Sequence, residues 1–165
     1  MTKINSKNKG STFERRIANR LSEQFSEHLQ MEKGFRRNPD SGSFFGGSNK
    51  QRVGTHDTSM ATFGDLICPV SFLFSIECKH YKTPPSMGVL FSGEIKQWDG
   101  WLAQVTQDSS QTGKAPLLII KYNNVPEIVL VTKHHEGIPC RFKYKDMFVY
   151  TLDDLLTLPL TEFFA

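Results

Sequence analysis

Residues 63–82, FGDLICPVSFLFSIECKHYK, are almost wholly apolar, yet Glu77 and Lys79 sit two apart near their end. A pleated strand sends residues i and i+2 to the same face. A carboxylate and an ammonium therefore emerge side by side from what reads as buried sheet. Buried charges are costly unless they are paired or hold a metal. The halves FGDLICPV and FLFSIECKH read as two strands joined by a tight turn near Pro69–Ser71. Pairing across that turn predicts that Asp65 and Glu77 come within reach of one ion. Hard divalent cations take carboxylate oxygens plus water, and the backbone carbonyl of Cys78, between Glu77 and Lys79, is a natural further donor.

The rest of the chain supplies a fold around this stretch. Its 165 residues suit one domain, and 38% apolar with 12% aromatic content favours a packed core over disorder. No apolar run approaches the roughly 20 residues of a membrane span. MTKINSKNKG carries positive charge with no apolar segment after it, which is not a secretory signal pattern. Residues 1–10 read as a flexible basic arm and 11–165 as a single domain. In GSTFERRIANRLSEQFSEHLQ, Phe13, Ile17, Leu21, Phe25 and Leu29 recur every four residues, which predicts a helix. Ser11 with Glu14 has the form of a capping box at its start, and Gly34 is the expected stop. Residues 36–62 form a long polar segment without a period, read as a functional loop. A helix over about 92–110 would bury Ile95, Trp98, Trp101, Leu102 and Val105. APLLIIKYN and EIVLVTK are short apolar strands, RFKYKDMFVYTL a further strand or strand pair, and Thr151 caps a last short helix. The order predicts an α/β fold with a mixed central sheet flanked by helices.

Charge is unevenly distributed. Residues 1–56 hold eleven Lys/Arg against five Asp/Glu, whereas residues 57–165 hold nine against twelve. A one-sided basic region attracts a polyanion, with Lys9, Arg15, Arg36, Arg37, Lys50 and Arg52 as candidate DNA contacts. The cysteines Cys68, Cys78 and Cys140 have no CxxC spacing, which suits free thiols in a reducing, cytoplasmic setting. Glu14 shares the helical stripe of Ala18, Leu21 and Phe25, so it points toward the core side. Together Glu14, Asp65, Glu77 and Lys79 are the groups that metal-assisted phosphodiester hydrolysis needs: acids for a cation, and an amine for developing charge. Gln97 and Gln104 read as surface glutamines, and Trp98 and Trp101 as core or dimer contacts. His134–His135, His56–Asp57 and His80 lack metal-ligand spacing. No Gly-rich nucleotide cradle is present, so no nucleotide cofactor is expected.

An acid on a first helix, an Asp at a strand and E-x-K on the next strand resemble the PD-(D/E)xK nuclease superfamily. Glu14, Asp65 and Glu77–Lys79 match that pattern. Within it, NKGSTFERRIANRL, FRRNPDSGS and the break, helix and apolar strand over 84–122 are similar to archaeal-type Holliday junction resolvases, also carried by phages. The resemblance covers roughly residues 8–132. It implies a restriction-endonuclease-like core and a Mg2+-dependent endonuclease, with Mn2+ able to substitute. It further implies a homodimer that cuts opposed strands of four-way DNA junctions. In such enzymes a serine between helix and Asp assists catalysis, and Ser41 and Ser43 both fit. Gly64–Asp65 replaces the usual Pro-Asp, while a literal Pro39–Asp40 lies in the polar segment with no apolar strand around it. The stretch from Arg36 to Asp65 is longer than usual for the family, which leaves open a restriction- or repair-type nuclease, or a DNA-binding relative without activity.

Overall fold

The computed structural model describes residues 6–39 and 64–165. The expected contributions of Ser41, Ser43, Lys50 and Arg52 therefore lie outside the described residues, as do Asp40 of the discounted Pro39–Asp40 pair and His56–Asp57. Helix α1 spans Ser6–Gln24 and is followed by the short α2, Ser26–Leu29. Two-residue strands β1, Arg36–Arg37, and β2, Leu66–Ile67, pair antiparallel. The main sheet has strands β3 (Phe74–Tyr81), β4 (Ala115–Tyr122), β5 (Ile128–Val131), β6 (Phe142–Tyr144) and β7 (Met147–Thr151) in the order β3-β4-β5-β7-β6. Strands β3 and β4 run parallel and the other pairs antiparallel. The β3-to-β4 connection carries α3, Met87–Ser92, and α4, Lys96–Thr112, while α5, Leu152–Leu155, follows β7 directly. This is the expected α/β fold, a mixed sheet with helices on both faces. No described helix is long and apolar enough to cross a membrane.

The sheet separates two cores of different chemistry. On one face α1 buries Phe13, Ile17, Leu21 and Phe25 against Ile76, Cys78, Leu117 and Ile119. Phe25 sits among Phe35, Phe72, Phe163 and Phe164, with ring centroids 5.0–6.2 Å apart. On the other face α4 buries Trp98, Trp101 and Val105 against Leu118, Ile120, Tyr122 and Tyr144. This second core also meets its polar needs internally. Trp98 Nε1 donates to Tyr122 Oη at 2.8 Å, and the Ile95 N–H at the start of α4 donates to Tyr144 Oη at 2.7 Å. That phenol stands in for a capping side chain, which α4 lacks. Both tryptophans are core, as the helical spacing predicted.

Three local expectations change. Helix α1 begins at Ser6, inside the segment read as an arm, so Ser11 and Glu14 are interior helical residues rather than a capping box. The helical run ends at Gln30, which takes the left-handed conformation (φ 51°) expected of Gly34. The predicted hairpin is absent. FGDLICPV yields only β2, squeezed between Gly64 at φ +81° and Pro69, which has no N–H to extend a ladder. Its partner is β1, within the segment read as loop. Thr151 does cap α5, accepting from the Asp154 N–H at 3.1 Å, and all three cysteines are free.

Candidate active site

Strand β3 lies at the end of the sheet, so one of its edges has no neighbouring strand in the main sheet. Asp65 occupies that edge. Its N–H donates to Ile76 O at 2.8 Å, and its Oδ2 accepts from the Cys78 N–H at 2.7 Å. One residue thereby satisfies two edge groups that another strand would otherwise take. A strand residue's N–H and C=O point to the same edge, so the Cys78 carbonyl also points to the open edge. The preceding residue must be glycine: a Cβ on Gly64 would lie 2.7 Å from Ile76 O, and its φ is positive.

Alternation along β3 sends Ile76, Cys78 and His80 toward α1, where His80 meets the Phe13 ring at 5.4 Å. Glu77, Lys79 and Tyr81 point toward α4, where Tyr81 meets Trp101 at 4.9 Å. Glu77 is 1% exposed and Asp65 7%. Lys79 Nζ lies against Glu77 Oε1 as an ion pair, and it donates to Gln104 Oε1 at 3.1 Å. Neither Glu77 oxygen has a donor aligned for a hydrogen bond among the described residues. Burial pushes the Glu77 carboxyl up strongly, and the neighbouring Asp65 charge pushes it further. Asp65 is raised as well, chiefly by burial and against the pull of the Cys78 N–H. Lys79 also loses solvent, but the neighbouring Glu77 and Asp65 carboxylates and Tyr81 together outweigh that loss and raise its pKa.

Glu14 reaches this region from α1. It is 8% exposed and close enough to Asp65 for their charges to interact. Its Oε2 accepts from Arg37 Nε at 2.6 Å. Arg37 is placed there because Ser22 of α1 clamps Phe35: its hydroxyl accepts the Phe35 N–H at 3.0 Å and faces the Phe35 carbonyl at 3.1 Å. Among the described residues no group of three or more His, Cys, Asp or Glu side chains forms a metal cage. The three acids expected around one ion are thus an Asp65–Glu77 pair, with Glu14 alongside and tied to Arg37.

That pair fits a divalent cation. Two buried, mutually repelling carboxylates, one of them ion-paired with Lys79, stand at the strand edge to which the Cys78 carbonyl points. Mg2+ is commonly held by one or two carboxylates, with water completing its shell.

The basic residues divide. Arg36 and Arg15 are exposed, and no ion pair engages either among the described residues. Arg16 and Arg20, by contrast, pair with Glu127 and Asp153. Lys9 donates to Asn123 Oδ1 at 3.2 Å. His134 and His135 lie far along the chain after β5, with His135 Nδ1 3.3 Å from Glu162.

Sequence reasoning missed three partners of the site. Gln104, read as a surface residue, is half-buried and holds Lys79. Asp108, one helical turn later, is half-buried and near enough to Lys79 for their charges to interact. Asn38 Nδ2 donates to Gly64 O at 3.0 Å, and its N–H donates to Asp65 O at 2.8 Å. Four-residue spacing puts Gln104 and Asp108 on one face of α4 but does not tell which element that face meets, so no local signal marked them.

A protein-family model described as "Phage putative PDDEXK endonuclease" matches residues 5–163. No curated protein and no solved structure matches the chain.

Proposed function

The chain belongs to this phage PDDEXK endonuclease family, and on that premise we propose a divalent-metal-dependent DNA endonuclease that resolves four-way junctions. One observation carries the reading. A buried carboxylate pair, Asp65 and Glu77, stands on an open strand edge beside an ammonium, Lys79. Asp65, Glu77 and the Cys78 carbonyl would hold Mg2+, or Mn2+ in its place. A cation there would lower the pKa of water and offset charge on the scissile phosphate. Lys79, steadied by Glu77 and Gln104, offers a second positive charge to the phosphorane-like state. Glu14 orients the site from α1, and its partner Arg37 is near enough to grip a phosphate. Exposed Arg15 and Arg36, together with Lys9, extend the basic surface for the DNA backbone. Ser41 or Ser43, Lys50 and Arg52 complete the contacts to the scissile strand.

Junction resolution requires two opposed nicks, which a symmetric homodimer with one site per subunit provides. The test gives purified protein with Mg2+ a mobile four-way junction, a linear duplex and single strands. Paired symmetric cuts confined to the junction support the proposal. Equal cutting of plain duplex replaces it with a restriction- or repair-type nuclease. Binding without cleavage under both Mg2+ and Mn2+ rejects nuclease activity.

A further inference from the structure

We infer that Asn38 is a positioning residue: it locks the Gly64–Asp65 peptide and thereby aims the Asp65 carboxylate. Its bearing on metal binding and cleavage rests on the nuclease reading above. The peptide between Gly64 and Asp65 is held at both ends. Its carbonyl accepts from Asn38 Nδ2 at 3.0 Å, and its N–H donates to Ile76 O at 2.8 Å. Asn38 also donates its own N–H to Asp65 O at 2.8 Å. That bond continues the register in which Arg36 and Arg37 face Ile67 and Leu66, so Asn38 stands opposite Asp65. Pro39 follows and has no N–H with which to extend the ladder. The Asn38 side chain supplies a donor in its place. One asparagine therefore grips the carbonyls on both sides of the Asp65 α-carbon.

Gly64 is where such a grip matters. At φ +81° it occupies a conformation open to glycine, and glycine leaves the adjoining peptide free to rotate. Rotation would pull the Asp65 N–H off Ile76 O and swing the carboxylate away from the Cys78 N–H, from which it accepts at 2.7 Å. Asn38 is 3% exposed, so water does not stand in for its amide. A side chain that only filled this space would be better apolar, because a buried amide must be hydrogen-bonded. The preceding residues join the same segment to the rest of the site. Phe35 is clamped to α1 by Ser22, and Arg37 Nε donates to Glu14 Oε2 at 2.6 Å. Consecutive side chains thus reach two acids of the site, Arg37 by an ion pair and Asn38 through the Gly64 peptide.

The experiment compares wild type, Asn38→Ala and Asn38→Leu in the full chain. Leu keeps the shape of Asn without its donor, and both variants keep the backbone bond to Asp65 O. Three quantities are read: hydrogen exchange of the Asp65 amide in the metal-free protein by NMR, Mn2+ affinity from the EPR signal of the free ion, and kcat and KM for the DNA that wild type cuts. In both variants the Asp65 amide should exchange about tenfold faster or more, while β4 amides keep their rates. Their Kd for Mn2+ should rise about 10- to 100-fold, the cost of losing a group that orients a metal ligand. At one fixed Mn2+ concentration below saturation, kcat should fall with the affinity while KM for DNA stays within about twofold. Leu118→Ala, a pure packing loss in β4, should leave Mn2+ affinity within about twofold of wild type where it is folded. If N38A fails to fold, N38L decides alone. An Asp65 amide that exchanges at the wild-type rate overturns the inference. So does unchanged Mn2+ affinity in the Asn38 variants, or an equal loss of affinity in L118A. A wild type that neither binds Mn2+ nor cuts DNA defeats the nuclease reading instead, and Asp65 exchange alone then decides the role of Asn38.

Discussion

Strands β3 and β4 are both eight residues long and run parallel in register, Glu77 beside Leu118 and Lys79 beside Ile120. On the face toward α4, one strand presents a carboxylate and an ammonium where its neighbour presents two aliphatic side chains. Glu77 is as completely buried as Leu118, so exposure does not explain the difference. Position in the sheet does. Strand β4 is paired on both sides and its backbone is used up by ladders. Strand β3 has an open edge, and that edge receives Asp65 and keeps the Cys78 carbonyl outward, while Lys79 pairs with the buried Glu77 carboxylate beside it. Edge strands normally threaten aggregation and are blunted by charge or cover. Here the blunting residues are also the candidate reactive ones.

The sharpest way to break this comparison is to neutralise the edge. Asp65→Asn and Glu77→Gln should lower cleavage by about a thousandfold or more, the scale of losing a metal-assisted centre. DNA binding, measured by gel shift, should stay within a few-fold. Binding that collapses together with cleavage, in a folded variant, would reassign these acids from chemistry to substrate capture. The matching change in β4, Leu118→Ala, should cost about 2–5 kcal/mol of stability by urea unfolding. It should leave kcat near wild type at a temperature where the variant is folded. A Leu118→Ala protein that stays stable yet loses cleavage would mean that β4 is more than packing.

That division was legible in the sequence because charge inside an apolar run breaks a pattern. Asp65, Glu77 and Lys79 were conspicuous for where they stood. The apolar period of α1, the tryptophan face of α4 and the Thr151 cap were likewise legible, since each is a local regularity. What the sequence concealed is non-local. FGDLICPV has the composition of a full strand, but only Leu66 and Ile67 find a ladder, and that ladder lies with Arg36–Arg37. Gln104 looks like an ordinary polar residue on a helix, and nothing in its spacing says that this face of the helix meets Lys79. The start of α1 was misplaced because Ser11–Glu14 matches a cap, while the residues before it carry no opposing signal.

A smaller effect sharpens the comparison without DNA. A cation held between Asp65 and Glu77 stabilises the folded state by mass action, about 2.7 kcal/mol at a hundredfold excess over its Kd. For a chain of this size that raises Tm by roughly 5–10 °C. Differential scanning fluorimetry with and without Mn2+ should show the shift in wild type and lose it in D65N. A cation shift that survives D65N would place the ion elsewhere.

The smallest effect separates burial of a titratable group from function. His135 is the one buried histidine among the described residues, and it lies beyond β5, away from the open edge. Burial lowers its pKa against the opposing pull of Glu162, and its Nε2 has no partner among the described residues. The fold therefore keeps His135 neutral, whereas the unfolded chain takes up a proton below its ordinary value. The folded state binds fewer protons there, so stability rises with pH across that window. Its contribution is present above about pH 6.5, the unfolded value, and is lost as pH falls through the lower folded pKa. From pH 7.5 down to 5 the urea midpoint of wild type should lose a small amount relative to that of His135→Gln, since the raised Asp65 and Glu77 carboxyls, which act in the opposite direction, are common to both proteins. Cleavage by the same variant should match wild type at pH 7.5. If it does not, burial of an ionisable group anywhere in this sheet, and not the open edge of β3, would be what cleavage depends on.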